Sequence, residues 1–298
     1  YAYGMYFENN STPLIDSVFI QSSASDPIAL SFFANPTFTR MSFDANSSNG
    51  LRLIETILSS NATVRKRDIA GISNIAYILG NLDINSGATL TVQPGVVFKL
   101  PASQINVYDG KINAIGTTSE KIIFTSTADD SRGGDTNNDG NGSVPAPGNW
   151  GGIDTYSTAL QSHFQHCEFR YGGSGSQSGY PKYEPFGPHL SSSDNNLLVE
   201  DCLIQLNSTI ALGGYGTSTA TFRNNRIENL CNTCSPVHMS MFANPTFTGN
   251  TVENIGRFAI EINDETFTQN ATMPFRSFAG VDSITYIIND LNIASGTT

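Results

Sequence analysis

Residues 135–143 combine oxygen-bearing side chains with glycine in a pattern that can hold a metal ion. In the sequence DTNNDGNGS, Asp135, Asn137 and Asp139 stand at alternate positions, and Asn141 follows two residues later. Carboxylate and amide oxygens at such spacing bind calcium, and glycine permits the sharp bend of the loop. The pattern predicts a structural Ca²⁺ site formed by Asp135, Asn137, Asp139 and Asn141.

The predicted calcium loop departs from an EF-hand at its twelfth position. Ala146 stands where an EF-hand has its bidentate glutamate, so another part of the fold must complete the shell. Asp129, Asp130 and Asp154 are the candidates. The alternative is a solvated Asn- and Gly-rich turn that holds no metal.

A second candidate site is the long segment 171–196. It carries Tyr171, Tyr180, Tyr183 and Phe186 among Gly, Ser and Pro residues. Long loops with several aromatic side chains are typical of ligand binding. The segment is therefore a possible ligand loop, and the alternative is that its aromatic rings pack back onto the fold.

Arginine and carboxylate residues recur along the second half of the chain and raise the question of catalysis. A polysaccharide lyase needs a basic residue to remove the proton next to a uronate carboxylate, and a hydrolase needs paired carboxylates. Residues of both types are present: Arg170, Arg223, Arg226, Glu168 and Glu200. Nothing in the sequence fixes their separation, and such residues on a sheet surface commonly form ion-pair ladders. We therefore assign no catalytic residue and no enzymatic activity.

The four cysteines do not have the spacing of a zinc site. Only Cys231 and Cys234 are close in sequence, and no second close pair accompanies them. A short-loop disulfide or two free thiols are the expected states of this pair. Cys167 and Cys202 are expected to be buried core residues.

The elements that position these residues are revealed by a long internal repeat. Residues 27–89 align without a gap on residues 236–298, and 23 of the 63 paired positions are identical. The segment FANPTFT at 33–39 returns unchanged at 242–248. Self-similarity at a fixed period indicates a stacked or arrayed architecture. We interpret the sequence as a window of a longer tandem array.

A shorter pattern recurs within the repeat about every two dozen residues. An apolar residue is followed three positions later by Cys or Asn, as at Cys167, Cys202, Asn225 and Asn250. Short alternating strands separated by turn residues cannot bury an inner face alone, but stacked coils can. The four residues are expected to form one ladder. A string of immunoglobulin-like sandwiches would repeat at about 100 residues instead.

Overall charge limits the classes of partner. The formal net charge is −11 and the isoelectric point is about 4.6. Nucleic-acid binding requires a basic surface, so it is not expected. The one dense basic cluster, residues 65–67, is replaced by Pro, Phe and Arg in the second copy. No apolar stretch is long enough to span a membrane.

Several segments resemble secreted bacterial right-handed parallel β-helix proteins. The resemblance is found in residues 81–99, with their Ser-Gly turn and Gln-Pro-Gly-Val, in residues 116–126, and in residues 129–153, which include Trp150. Members are typically large cell-surface proteins of the adhesin type, often from Bacteroidota-like bacteria with type IX export. The resemblance implies an all-β parallel β-helix, a β-solenoid with loop excursions, located outside the cell or on its surface.

These observations predict three segments. Residues 1–67 close a preceding repeat unit, residues 68–276 form one full unit, and residues 277–298 open the next. The expected function is a non-catalytic stalk or filament region of a surface protein. Expected partners are adjacent repeats of the same chain, glycans or surfaces, and other copies in filaments. The alternatives are a carbohydrate-active β-helix enzyme or a glycan-binding module.

Overall fold

The fold consists of short strands joined by turns. The computed structural model describes residues 3–156, 158–173, 190–193, 197–288 and 290–298. These residues form 32 strands, numbered β1–β32 in chain order, and contain no helix. Most strands are only three or four residues long. Such strands must stack with their neighbours to bury an apolar face.

Three large sheets contain most of the strands. Sheet A has ten strands: β1 (Met5–Phe7), β4 (Ile28–Leu30), β7 (Leu51–Leu53), β10 (Tyr77–Ile78), β13 (Val97–Leu100), β16 (Ile122–Ser126), β19 (Cys167–Arg170), β22 (Leu203–Gln205), β25 (Arg226–Glu228) and β28 (Thr251–Glu253). Sheet B has nine: β8 (Ile57–Leu58), β11 (Leu82–Ile84), β14 (Ile105–Val107), β17 (Ile153–Thr155), β20 (Leu190–Ser193), β23 (Leu212–Tyr215), β26 (Val237–Met239), β29 (Ile260–Ile262) and β31 (Tyr286–Ile288).

Sheet C has seven strands: β9 (Ala62–Val64), β12 (Thr89–Val92), β15 (Lys111–Ile115), β18 (Ser162–Gln165), β21 (Leu197–Glu200), β24 (Thr221–Arg223) and β27 (Thr246–Thr248). Three strand pairs complete the fold: β2 (Leu14–Asp16) with β5 (Thr37–Thr39), β3 (Phe19–Gln21) with β6 (Ser42–Asp44), and β30 (Glu265–Phe267) with β32 (Leu291–Ile293).

Successive coils pair in parallel, in register. Leu82 lies opposite Ile105, which lies opposite Ile153, and from β7 to β27 each coil contributes one strand to each large sheet. Parallel strands linked in this way require a crossover, here the rest of the coil. The architecture confirms the predicted all-β solenoid of the right-handed parallel β-helix type. The immunoglobulin-like alternative is excluded.

The inner faces of the sheets form one apolar core. Phe98, Phe124 and Phe169 stack in register along sheet A, with ring centroids 5.3 and 5.0 Å apart. All three side chains are buried. Each buried aromatic side chain contributes on the order of 2–3 kcal/mol relative to exposure. The stack therefore stabilises the contact between consecutive coils.

The predicted ladder of Cys and Asn residues is confirmed. The backbone N–H of Cys202 donates to Asn225 Oδ1, and that of Asn225 donates to Asn250 Oδ1, both at 3.0 Å. The N–H of Cys167 lies 3.3 Å from Cys202 Sγ. Each Asn side chain also returns a bond to the preceding strand, as Asn225 Nδ2 does to the Val199 carbonyl. Buried turn N–H groups are thereby satisfied.

The remaining cysteine predictions also hold. Cys231 and Cys234 form a disulfide, with Cα atoms 5.2 Å apart. Cys167 and Cys202 are buried free thiols, and burial raises the pKa of Cys167 well above its usual value. Trp150 is fully buried, and its indole N–H donates to the Arg170 carbonyl at 2.6 Å. It covers the point where an excursion rejoins the coils.

The first copy of the repeated sequence marks an interruption of the stack. β5 and β6 end their two-stranded sheets, and sheets B and C begin anew with β8 and β9. Sheet A alone passes through, along β4, β7, β10 and β13. A short hairpin bridged between Ile69 and Ile72 packs here, with Ile69 buried in the core. The boundaries at residues 67 and 276 remain predictions.

Candidate functional site

The richest cluster of polar groups lies under an excursion that we call the strap, residues 127–149. The strap leaves sheet A after β16 and crosses its outer face towards earlier coils. The backbone N–H of Asn49 donates to the Thr136 carbonyl, and Asn138 Nδ2 donates to the Asn46 carbonyl, both at 2.7 Å. The strap therefore connects the coil of β16 to the segment between β6 and β7.

The strap lies close enough to sheet A to bury its outward-facing residues. Gly133 has a left-handed φ of 68°, and a Cβ there would lie 3.0 Å from the Ala76 Cβ and 3.1 Å from a Val97 methyl. Only glycine combines this conformation with so close an approach. Ile78, Val97 and Lys99 are consequently buried although they point away from the core.

Lys99 is the most unusual residue under the strap. Its side chain is fully buried, and its ammonium group donates a hydrogen bond to the Gly134 carbonyl. Burial lowers the pKa of Lys99 to about 8, against the opposing effect of Asp130, Asp129 and Asp135. The sequence around Lys99 carries no signal that this lysine is covered.

Three carboxylates of the strap converge near Lys99. Ligand oxygens of Asp130, Asp135 and Asp139 all lie within 4.8 Å of one another. Burial raises the pKa of Asp130, and the negative charge of Asp135 raises it further. Asp135 also accepts the backbone N–H groups of Asp139 and Gly140, at 3.1 and 2.9 Å. These bonds close the loop around the carboxylates.

The cluster matches the sequence prediction in part. Asp135 and Asp139 are in it, and Asn137 donates to Asp139 Oδ2 at 2.8 Å. Asn141 is exposed. Of the three candidates for completing the shell, Asp130 joins the cluster. Buried oxygens of Asp130 and Asn137 have no hydrogen-bond partner, so two potential ligand atoms remain unused.

Asp129 and Asp154, the other two candidates, have different surroundings. Asp129 accepts the Thr125 hydroxyl at 2.6 Å and lies 3.3 Å from Arg170 Nε. Asp154 lies on β17, where it pairs in register with Asn106 of sheet B. Neither belongs to the group of three converging carboxylates.

The candidate catalytic residues on sheet A form a closed ion-pair network. Glu168 Oε1 accepts from Arg132 and Arg170, both at 3.0 Å, and from Gln205 at 3.1 Å. Burial lowers the pKa of Arg170, whereas its bond to Tyr171 and the carboxylates of Asp129 and Glu168 raise it. The net effect is a raised pKa. A glutamate held by three donors and buried to 3% exposure is poorly suited to accept a proton from a substrate.

The other charged candidates are paired along the stack. Glu200 is buried and lies 2.8 Å from His163 Nε2, with Arg223 against its second oxygen. Arg226 lies 2.6 Å from Glu228 on its own strand and 3.0 Å from Glu253 on the next. The structure therefore places Arg223 and Arg226 in separate ladders on sheets C and A. It does not bring them together with Arg170.

The structure describes residues 171–173 of the proposed ligand loop and, near its end, strand β20 (Leu190–Ser193). Tyr171 is half-buried, accepts a hydrogen bond from Arg170 Nη2 at 3.2 Å, and lies under the Arg170 guanidinium at 5.2 Å from the ring centroid. Tyr171 thus packs back onto the solenoid. Tyr180, Tyr183 and Phe186 lie outside the described residues, and their role stays a prediction.

The stacked parallel coils define the chain as a β-solenoid protein. Residues 152–275 match the family described as the right handed beta helix region, which agrees with the fold. The family match and the stacked coils together support a right-handed β-helix repeat fold. No curated protein and no solved structure matches it. Within the described ranges, no helix is long and apolar enough to cross a membrane.

Proposed function

We propose that this chain is a non-catalytic structural region of a large bacterial surface protein, acting outside the cell as a stiff stalk or filament. The observation that carries the proposal is the passage of sheet A without a break from β1 to β28, across the interruption of the other sheets. Backbone hydrogen bonds that continue from coil to coil resist bending. Length then grows with the number of repeats.

The paired charges support a structural role. Glu168, Arg170 and Glu200 are all buried and bonded to protein groups. A catalytic group must instead reach its substrate. In an array, the immediate partners would be adjacent repeats of the same chain. Contacts with glycans or surfaces, and lateral association into filaments, would add weak interactions strengthened by repetition.

An activity assay separates the stalk from a carbohydrate-active enzyme. The chain is incubated with a panel of uronate polysaccharides, and unsaturated products are followed by their ultraviolet absorbance. We expect no turnover. Turnover that is abolished in both Arg170→Gln and a second variant, Arg223→Gln, while Arg40→Gln retains it, would contradict the structural proposal. Arg40 is a suitable control because its side chain is 72% exposed.

A structural Ca²⁺ ion in the strap is part of the same proposal. Support comes from the three converging carboxylates and from the unpartnered oxygens of Asp130 and Asn137. Lys99 supplies only one positive charge to this cluster. Calcium would bind the remaining oxygens and hold the strap against Asn46 and Asn49.

The calcium assignment is tested by melting with and without a chelator. At a free calcium concentration of 100 times the dissociation constant, binding adds about 2.7 kcal/mol to stability. We expect the melting temperature to rise with calcium in the natural chain and not in Asp135→Asn/Asp139→Asn. The control Asp282→Asn, far away in sequence, should respond like the natural chain. An unchanged melting temperature in the natural chain would remove the assignment.

A further inference from the structure

A groove of about 460 Å³ lies where sheet C begins anew, and we call it the inter-repeat groove. Its floor is the outer face of β9, β12 and β15. Its wall comes from the coil before the interruption, through Phe32 and Phe33. The groove therefore exists because sheet C starts beside a coil that belongs to the preceding part of the stack.

The floor presents hydroxyl and amide groups in a fixed row. Thr63 pairs in register with Thr91, and Thr91 pairs with Asn113. Their neighbours along each strand, such as Ala62 and Leu90, face the core, so these three side chains point outwards. Strand spacing sets them about 4.8 Å apart. A ligand rich in hydroxyl groups would find a hydrogen-bonding partner on each strand.

The charged side chains that line the groove are all basic. Arg65 follows β9, and Lys111 opens β15. Neither has a carboxylate within ion-pairing distance among the described residues, and no acidic residue lines the groove. In a chain with a net charge of −11, two uncompensated cations facing one groove point to a negatively charged ligand.

The neighbours of Arg65 show that this is not a general property of the basic cluster. Lys66 pairs with Glu120 at 2.6 Å. Arg67 donates to the Pro36 carbonyl and to Asn35 Oδ1, both at 2.9 Å. Arg65 Nη1 reaches only the Thr63 carbonyl of its own strand, at 3.2 Å. Its remaining N–H groups are available to a ligand.

We propose that the inter-repeat groove binds an acidic oligosaccharide. Its carboxylate or sulfate groups would pair with Arg65 and Lys111, and its hydroxyl groups would bond to Thr63, Thr91 and Asn113. The two cations are two strand spacings apart and displaced by four residues along the strand, which gives a separation of roughly 16 Å. A ligand must therefore be several sugar units long to reach both.

An acidic peptide fits the groove less well. Peptide recognition at a sheet relies on a free strand edge or on pockets for apolar side chains. Here β9 is the edge strand of sheet C, but a peptide strand added there would use that edge and not the outward face that carries Thr91, Lys111 and Asn113. This inference goes beyond the stalk, which needs no ligand. Binding experiments test the groove inference, whereas measurements of turnover and rigidity test the stalk.

The test uses oligomannuronates of two to six units with the full chain, by titration calorimetry at low and physiological salt. We expect affinity to rise with length until both cations are spanned and to fall as salt is added. Arg65→Gln and Lys111→Gln should each weaken binding about tenfold, which corresponds to about 1.4 kcal/mol. Lys121→Gln, a change at another lysine without an ion pair, should bind like the natural chain.

Several results would overturn the proposal. These are no binding of the hexamer, equal binding of a neutral cello-oligosaccharide, stronger binding of poly-glutamate, or equal loss of affinity in the Lys121→Gln control. Melting curves check that each variant is folded. If Arg65→Gln does not fold, Lys111→Gln and the salt dependence decide the question, because the Lys111 side chain has no hydrogen bond or ion pair with a described residue.

Discussion

The two copies of the repeated sequence build the same local structure in different sheets. In the first, Arg67 bonds to Asn35 and Pro36; in the second, Arg276 bonds to Asn244 and Pro245. The hairpin bridge Ile69–Ile72 returns as Phe278–Val281. The FANPTFT segment, identical in both copies, is therefore the docking site of the arginine that both copies share, and its repetition has a structural reason.

The difference between the copies lies in sheet membership. β4, β7 and β10 of the first copy belong to sheet A, whereas the equivalent β26, β29 and β31 belong to sheet B. In the first copy sheet A continues into β13, while sheets B and C begin at β8 and β9. The strand pair β30 and β32 repeats the start made by β8 and β11. The repeated sequence therefore forms a junction at which one sheet continues and the other two large sheets begin.

The largest expected effect comes from the tyrosine of the continuing sheet. Tyr77 is buried, contacts Phe98 and donates its hydroxyl to the Arg65 carbonyl at 2.6 Å, while the equivalent Tyr286 is half-buried. Tyr77→Ala should cost about 3–5 kcal/mol of unfolding free energy because it leaves a cavity. Tyr286→Ala should cost about 1 kcal/mol, since less area is lost. Urea denaturation followed by circular dichroism measures both, and equal losses would contradict the difference in burial between Tyr77 and Tyr286.

A smaller effect is expected from the docked arginines. Arg67 makes three bonds of 2.9–3.0 Å, including one from Nε to the Tyr77 hydroxyl. The bonds of Arg276 are 3.1–3.3 Å long, and its Nε has no partner. Arg67→Ala should cost about 2 kcal/mol and Arg276→Ala about 1 kcal/mol.

Two further variants sharpen the comparison of the arginines. Lysine cannot reproduce the planar fork, so Arg67→Lys should recover little of the lost stability. Arg40→Ala, at an exposed ion pair, should change stability by less than about 0.5 kcal/mol. Full rescue by lysine would mean that charge alone, and not the paired N–H groups, stabilises the junction.

The fold could be predicted from the sequence because the short repeat and the alternation of apolar and polar residues recur from coil to coil. The strands at 97–100, 105–107 and 122–126 and the ladder from Cys167 to Asn250 follow from local periodicity. The sequence could not predict that equivalent strands of the two copies lie in different sheets, because the residues that the copies share occur in both sheets. The burial of Lys99 depends on the path of the strap over sheet A, which no local pattern records. The sequence offered three aspartates to complete the calcium shell, and only the path of the loop brings Asp130 beside Asp135 and Asp139.

A dependence of stability on pH is expected from the lysine under the strap. The pKa of Lys99 is about 8 in the folded chain against 10.5 ordinarily, so the unfolded chain binds more protons between these values. Its contribution to stability therefore rises with pH from about 8 to 10.5. The unfolding free energy, measured by urea titration across this range, should rise less steeply in Lys99→Met. Identical slopes would show that Lys99 is not desolvated by the strap.

Hydrogen exchange across the junction tests the continuity of the stack most directly. The N–H of Leu51 donates to the Ala76 carbonyl at 2.9 Å, and that of Leu79 donates to the Lys99 carbonyl at 3.0 Å. If sheet A passes through as one structure, these amides will exchange as slowly as that of Ile123, which bonds to Val96 within the full unit. Fast exchange at Leu51 and Leu79, with Ile123 still protected, would instead show two bodies joined by a loose connection and would contradict the stiff stalk.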